Sequence, residues 1–193
     1  MNRVFENSKK TAFLDKGMFP NVQLLEQCIH DIEPQLEKRP TIIVFDKICK
    51  QNRDVGFFSN DSKGYLYSKK LMVSKPLSSA MNELLVSINI MLGTQYNGIL
   101  VNKYNDGTDY IGAHSDSEIG LDTIGVVSIS YGSERNFRIR NKNDNKIVHE
   151  ETTTHCSILH MGGNFQKLYT HEIPIQKKIK NSRISFTFRK HTI

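Results

Sequence analysis

Near the C-terminus, the stretch Arg183-Ile-Ser-Phe-Thr-Phe-Arg189 alternates between two kinds of side chain at every step. The even positions are apolar, whereas the odd positions are polar or cationic. Because successive side chains of a β-strand point to opposite faces of the sheet, this alternation predicts a strand with one apolar and one cationic face. In an isolated half-buried strand the arginines would lie in water. The alternative is that the cationic face lines a cavity, where the two guanidinium groups bind a dicarboxylate.

Short β-like runs precede this strand, and clusters of turn residues such as Asn105-Asp106-Gly107 separate them. With the last strand they make seven runs after residue 96, a spacing typical of an antiparallel sandwich or jelly roll. The runs cover residues 98–104, 123–131, 136–140, 146–150, 157–160, 168–174 and 182–189.

Two helices are predicted before this β-rich half of the chain. Apolar residues of the segment 22–36 recur at intervals of three and four, which predicts an amphipathic helix after an opening loop. A second helix is predicted over residues 76–92, with Ser74 as its cap, Pro76 in its first turn and Gly93 at its end. Two such helices can cover one face of a sandwich. We therefore expect a single α+β domain.

Between the predicted helices lie a β-rich run, residues 41–45, and a polar segment, residues 50–70. The composition of the polar segment predicts a hairpin or loop rather than core. It also carries four aromatic residues, Phe57, Phe58, Tyr65 and Tyr67.

The composition limits the class of protein. The chain has 193 residues, 38% of them hydrophobic and 24% charged, which disfavours disorder and a collagen-like fibre. No apolar run approaches the roughly 20 residues of a membrane-spanning helix, and the first residues lack the apolar core of a secretory signal. The formal net charge of +6 suits a nucleic-acid partner, although many proteins of this charge bind none.

The cysteines indicate the compartment. Cys28, Cys49 and Cys156 are odd in number and scattered along the chain. This excludes a disulfide scaffold and favours an intracellular, reducing compartment, either cytoplasm or nucleus.

The most specific local feature is Ile111-Gly-Ala-His114-Ser-Asp116-Ser-Glu118. His114 and Asp116 are two residues apart, so on an extended segment their side chains leave the same face. His171 offers a third ligand. Two imidazoles and one carboxylate form the facial triad of non-haem Fe(II) oxygenases, which leaves three of six octahedral positions open. A His-x-Asp pair alone is more often a surface turn, so it needs independent support.

The cationic strand supplies that support. A small molecule that binds a metal at one end and carries a carboxylate at each end would account for both the triad and the two arginines. Asn102-Lys-Tyr104, spaced by two, could add an amide and a phenol to the same pocket.

The chain resembles the AlkB family of Fe(II)- and 2-oxoglutarate-dependent dioxygenases, most closely the branch that removes alkyl groups from nucleic-acid bases. The order and spacing match over about residues 50–190. The matching motifs are Asn102-x-Tyr104, Asp106-Gly107, His114-x-Asp116, Met161-x-Gly163, His171-x-x-Pro174 and Arg183-x-Ser-x-Thr-Phe-Arg189.

The resemblance implies a double-stranded β-helix (jelly-roll) core, with N-terminal helices packed on one sheet and a nucleotide-recognition lid. Residues 1–95 would form the N-terminal extension, helices and lid, and residues 96–193 the catalytic core. The implied cofactors are Fe(II), 2-oxoglutarate and O₂.

The resemblance also implies site residues. His114, Asp116 and His171 would hold the iron. Arg183 and Tyr104 would bind the far carboxylate of 2-oxoglutarate, and Arg189 and Asn102 would lie near its 2-oxo acid end.

On the substrate side, the resemblance implies that Tyr67 stacks on a flipped base, with His114 as the opposite wall. Glu118 would contact the exocyclic nitrogen of the damaged base. Arg53 and Arg140 match basic positions near the substrate or lid. One departure is Ser185, where many family members carry Asn, which affects one polar contact near the cosubstrate.

The implied function is oxidative demethylation of N-alkylated bases in DNA or RNA, releasing formaldehyde, succinate and CO₂, by a monomer without a membrane partner. Two alternatives stay open: an oxygenase of the same fold that acts on a protein or small molecule, and an inactive nucleic-acid-binding module. Four lysines could neutralise phosphates, although such runs are often solvated turns. They are Lys167, Lys177, Lys178 and Lys180.

Overall fold

The structure is a computed structural model that describes residues 1–44, 47–67, 70–117, 121 and 125–192. Within these residues the strands, numbered in chain order, are β1 (Asn2–Glu6), β2 (Ala12–Met18), β3 (Thr41–Val44), β4 (Lys47–Lys50), β5 (Asp54–Phe58), β6 (Gly64–Tyr67), β7 (Lys70–Val73), β8 (Gly98–Tyr104), β9 (Ile111–His114), β10 (Val126–Gly132), β11 (Arg135–Asn141), β12 (Ile147–Thr153), β13 (Ser157–Gly163), β14 (Tyr169–Ile173) and β15 (Arg183–Arg189). The helices are α1 (Val22–Ile32), α2 (Ser79–Leu92) and the short α3 (Phe165–Leu168), with a 3₁₀ turn over Glu33–Gln35.

Two antiparallel sheets form the core. The large sheet has seven strands in the order β1-β2-β13-β10-β15-β8-β5, and the small sheet has four in the order β12-β11-β14-β9. Their inner faces share one apolar cluster, in which Tyr104 and Met161 of the large sheet pack with Phe137 and Ile139 of the small sheet. This is the jelly roll that the strand spacing predicts and the double-stranded β-helix that the resemblance implies.

The outer face of the large sheet packs against α1 and α2. Side chains of the central strands, such as Ile129 and Phe186, lie in one buried cluster with Leu25 of α1 and Leu84 of α2. The prediction of helices packed on one sheet is therefore confirmed.

The last strand, β15, lies in the middle of the large sheet between β10 and β8. Its apolar residues belong to the cluster beneath the helices, so its cationic face points toward the small sheet. Arg183 and Arg189 are only 2% and 3% exposed. The alternative that places these arginines in water is therefore excluded.

Both helices form where the sequence predicts them, with one shifted start. Helix α2 begins at Ser79, because Ser78 rather than Ser74 caps it by accepting a hydrogen bond from the Met81 N–H. Ser74 instead donates its backbone N–H to the Lys63 carbonyl oxygen, which holds it in extended chain. Gly93 ends the helix with φ of 63°, as expected of a left-handed C-cap.

Two expectations for the N-terminal half are wrong. The opening segment is not a loop but the hairpin β1–β2, which extends the large sheet by pairing β2 with β13. Residues 54–58 are not exposed hairpin but a buried strand, in which Phe57 and Phe58 are fully buried. In both cases the partner strand lies far along the chain (β13 for β2, and β8 for β5), so the local pattern does not reveal the pairing.

The structure also bears on the membrane and cysteine expectations. Among the described residues, no helix is both long and apolar enough to cross a bilayer. All three cysteines are free thiols; Cys28 and Cys156 are buried and Cys49 is exposed.

Candidate functional site

The small sheet brings the three predicted metal ligands together. Strand β9 pairs with β14 so that His114 lies opposite His171, with ring centroids 4.3 Å apart. Asp116 follows β9 by two residues. One ligand atom from each of the three side chains lies within 4.8 Å of the others, which is close enough for all three to share one ion.

A hydrogen bond orients His114. The Nδ1 of His114 lies 2.9 Å from the Gly112 carbonyl oxygen, and since a carbonyl only accepts, Nδ1 carries the proton and Nε2 is left as a lone pair. This Nε2 lies 4.0 Å from Oδ1 of Asp116, and Nε2 of His171 lies 3.7 Å from its Oδ2. Oδ2 is buried and has no hydrogen-bond partner among the described residues. A buried carboxylate oxygen without a partner is costly, so it fits a bound cation.

The charge states also suit a cation. Burial lowers the pKa of His114, and burial followed by repulsion from His114 lowers the pKa of His171 to about 3. Burial alone would raise the pKa of Asp116, but Arg189 and the two imidazoles outweigh it, and the pKa of this carboxyl falls below its usual value. At neutral pH the site therefore holds two neutral imidazoles and one carboxylate, the ionisation states that metal binding requires.

These ligands lie in a cleft between the two sheets, which has about 610 Å³ of empty space including its open mouth. The residues that line the cleft are Gln51, Arg53, Val55, Met72, Leu100, Asn102, Tyr104, Ile111, His114, Asp116, Ser128, Phe137, Met161, His171, Ile173, Arg183, Ser185, Thr187 and Arg189.

The two arginines of β15 both line the cleft. Arg189 donates a hydrogen bond from Nη2 to Oδ1 of Asp116, at the metal end. Arg183 lies six residues earlier and donates from Nη2 to the Ser130 hydroxyl over 2.8 Å. Its guanidinium carbon is 5.3 Å from the centre of the Tyr104 ring.

Arg183 has hydrogen-bond donors that the described residues leave unused. Its Nε and Nη1 make no hydrogen bond among the described residues, although both are buried. Burial lowers the pKa of Arg183 to about 10, which still leaves it a cation at neutral pH. A carboxylate in front of it would accept the two hydrogen bonds that the protein leaves unmade.

The comparison with protein families agrees with this geometry. The family model described as the 2OG-Fe(II) oxygenase superfamily matches residues 22–189. The chain belongs to this superfamily. It is therefore a dioxygenase with Fe(II), 2-oxoglutarate and O₂ as cofactors, and the His114, Asp116 and His171 cluster fits the iron.

Relatives place this oxygenase among AlkB-like proteins. The chain is 29% identical over 178 residues to the DNA oxidative demethylase ALKBH2 of Arabidopsis thaliana, which covers 78% of this chain and 57% of the relative. It is 28% identical over 155 residues to the ALKBH2 of Homo sapiens, covering 76% and 59%. The chain thus spans less than two thirds of the length of these relatives.

A solved structure shows the same fold. The structure of OsALKBH1 matches with a TM-score of 0.60 at 15% identity, covering 94% of this chain and 97% of that one. Together with the family match, this agrees with the AlkB-like double-stranded β-helix that the sequence motifs imply.

The structure brings most of the predicted residues of this oxygenase to the cleft. Asn102 and Tyr104 line it from β8, and Ser185 lines it from β15. Arg53 also lines it, and its Nε donates to Oδ1 of Asn102 over 2.7 Å.

Of the other three predicted substrate residues, the structure describes the side chain of Arg140 alone. Arg140 lies on the outer face of β11, where it donates to Glu172 and to the Asn145 carbonyl oxygen, so it does not reach the cleft. Glu118 lies outside the described residues, and so does the side chain of Tyr67, whose backbone belongs to β6.

Two residues that hold the site in place, Ser130 and Gln166, are not predicted from the sequence. The Ser130 hydroxyl, next to Ser185 across β10 and β15, accepts from Arg183. The alternation Val-Ser-Ile-Ser over 127–130 is a signal that could have found it. Gln166, whose Oε1 accepts from the Asp116 N–H over 2.9 Å, lies on α3, and no sequence signal distinguishes it.

Proposed function

We propose that this oxygenase removes methyl groups oxidatively from ring nitrogens of DNA bases, releasing formaldehyde, succinate and CO₂. The observation that carries the proposal is one buried cleft in which the His114, Asp116 and His171 cluster faces the cationic side of β15. Similarity to relatives named DNA oxidative demethylase favours DNA as the substrate.

The chain's own residues would hold 2-oxoglutarate along β15. Arg183 and Tyr104 bind the far carboxylate, and Arg189 and Asn102 lie near the 2-oxo acid end. Bound Fe(II) then supplies oxidation of a C–H bond, coupled to conversion of 2-oxoglutarate and O₂ into succinate and CO₂. The apolar lining, including Phe137 and Ile173, excludes water from this reaction.

The substrate would enter from the side of the hairpin β6–β7, which serves as the nucleotide lid. Support comes from Met72 of β7, which lines the cleft and packs against the cluster of Phe57 and Leu100. In this proposal Tyr67 and His114 sandwich the flipped base, a contact that stabilises by roughly 1–3 kcal/mol.

Charged residues complete the substrate side of the proposal. Glu118 contacts the exocyclic nitrogen of the base, and Arg53 lies beside the substrate. The exposed lysines 167, 177, 178 and 180 neutralise phosphates, so affinity for DNA should fall as salt rises.

The test uses Fe(II)-loaded protein, 2-oxoglutarate, air and a single-stranded DNA oligomer with one 1-methyladenine. Loss of the methyl group is followed by mass spectrometry, and formaldehyde and succinate are measured in parallel. We expect equal amounts of both products and no demethylation by Asp116→Ala. Absence of demethylation of every N-methylated DNA oligomer by metal-loaded protein would refute the proposal. Turnover of a protein or small molecule instead would favour an oxygenase of the same fold with another substrate.

A further inference from the structure

Gln51 is a cleft residue to which neither the metal nor the cosubstrate gives a role. It lies between the hairpin β3–β4 and strand β5, and its backbone N–H donates to the Pro40 carbonyl oxygen over 2.9 Å. Residues 51, 53 and 55 are two apart and all line the cleft, as expected of one face of extended chain. Gln51 is therefore held by its backbone with its side chain on the cleft side.

The side chain of Gln51 is buried, and its amide oxygen lacks a hydrogen-bond partner among the described residues. The residue is only 3% exposed, and its Oε1 has no hydrogen-bond partner among the described residues. The neighbouring polar group on this face, Arg53, directs its Nε to Asn102 instead. Val55, the next residue on the face, is apolar. Since buried amide oxygens are nearly always hydrogen-bonded, this one indicates a partner that enters the cleft from outside.

The chemistry of a carboxamide identifies that partner. A glutamine side chain presents one acceptor and one donor side by side. Among the bases, adenine matches this pair, because its N6 amine donates and its N7 accepts. Guanine offers two acceptors on the same edge, and cytosine offers a single amine donor there. A leucine or valine at this position would show no such preference.

We infer that Gln51 is a specificity residue that recognises the N6/N7 edge of a methylated adenine in the cleft. This inference rests on the proposed demethylation of DNA bases. Gln51 makes 1-methyladenine a better substrate than it would otherwise be, and it contributes much less to 3-methylcytosine, which satisfies only the acceptor of the carboxamide.

The experiment compares two single-stranded DNA oligomers that are identical except for one 1-methyladenine or one 3-methylcytosine. Values of kcat/KM are measured for the wild type, for Gln51→Leu and for Gln51→Glu, which keeps the shape but loses the donor. We expect Gln51→Leu to lower kcat/KM about tenfold on 1-methyladenine and about twofold or less on 3-methylcytosine. Gln51→Glu should fall between the wild type and Gln51→Leu on 1-methyladenine.

Val55→Ala is the matched control, because Val55 lies on the same face of the same cleft and has no polar atom. We expect it to change both substrates by the same factor. Binding of the two oligomers without 2-oxoglutarate, followed by fluorescence anisotropy, gives a readout that does not need turnover, and it should show the same selective loss.

The outcomes separate the two proposals. If the wild type demethylates the oligomers but Gln51→Leu changes both by the same factor, or neither, the role of Gln51 is wrong while the demethylase function stands. If the wild type demethylates no methylated oligomer, the proposed function fails, and the role of Gln51 fails with it.

Discussion

Arg183 offers the sharpest test of how the cleft would bind 2-oxoglutarate. Its replacement should weaken binding of 2-oxoglutarate without lowering the stability of the free protein. It is buried at 2% exposure, its Nε and Nη1 make no hydrogen bond, and no carboxylate lies within 4.0 Å among the described residues. The Ser130 hydroxyl and the Tyr104 ring offset part of the cost of this buried cation, and a ligand carboxylate would offset more of it. We expect Arg183→Met to lose 2-oxoglutarate while the free protein keeps or gains stability.

The expected size follows from the two hydrogen bonds that Nε and Nη1 leave unmade. Each hydrogen bond to a charged group contributes about 1.5–3 kcal/mol, so losing both weakens binding by at least about 3 kcal/mol. That corresponds to roughly a hundredfold or more in the dissociation constant of 2-oxoglutarate. Arg183→Lys keeps the charge but not the two parallel donors, and it should fall between the two proteins. Replacing the buried cation by methionine should leave the free energy of unfolding unchanged or raise it by about 1 kcal/mol.

Calorimetric titration of 2-oxoglutarate into Mn(II)-loaded protein measures the first quantity, and urea unfolding of the metal-free protein measures the second. Arg138→Met is the control, since Arg138 pairs with Glu150 on the outer side of the small sheet. It should leave 2-oxoglutarate affinity unchanged and stability within about 1 kcal/mol. The reasoning fails if Arg183→Met binds 2-oxoglutarate within threefold of the wild type, or if it destabilises the free protein by more than about 2 kcal/mol.

Three further predictions follow from the metal site, a buried histidine and the cysteines. Mn(II) at a hundred times its Kd should stabilise the wild type by about 3 kcal/mol, which differential scanning fluorimetry detects as a rise in Tm. Asp116→Ala should show no rise in Tm. An equal rise in the two proteins would place the ion elsewhere. Burial, and then a nearby arginine, lowers the pKa of His191 to about 4, so the native state resists the proton that the unfolded chain binds near pH 6.5. The contribution of His191 to the free energy of unfolding is therefore fully present above pH 6.5, and up to about 3 kcal/mol of it is lost toward pH 4. Urea unfolding of His191→Phe should show a smaller loss of stability over this pH range than the wild type. An equal loss in the two proteins contradicts the assignment. A thiol reagent at pH 8 should modify only the exposed Cys49 in the native protein, because burial raises the pKa of Cys28 to about 12; reaction of every thiol before unfolding would contradict this.

The sequence predicts those parts of the fold whose signal is local. The alternation of 183–189 is a strict two-residue pattern, and β15 accordingly spans Arg183–Arg189 with its apolar side under the helices. The apolar stripe of α2 and the glycine that ends it are likewise local. The hairpin β1–β2 and the burial of β5 depend on partners far along the chain. A local pattern carries no information on such partners, so it predicts an opening loop for the first element and a hairpin or loop for the second.

The same division holds in the cleft. The two-residue spacing predicts that Asn102 and Tyr104 share one face, and that His114 and Asp116 share another. In the structure all of them line the cleft. Gln51 gave no signal, because a single glutamine in a polar segment looks like any solvated residue. Its role depends on burial and on a missing hydrogen bond, and both are properties of the folded chain alone.

The charges of the cleft indicate which ligands bind there together. Three guanidinium groups line it, those of Arg53, Arg183 and Arg189, against one carboxylate, Asp116, among the described residues. A divalent cation alone would increase this positive excess in a buried space, where charges interact more strongly than in water. A dicarboxylate that binds with the metal adds two negative charges, one near each arginine of β15. The site is therefore expected to favour metal and 2-oxoglutarate together over the metal by itself, since each reduces the electrostatic cost of the other.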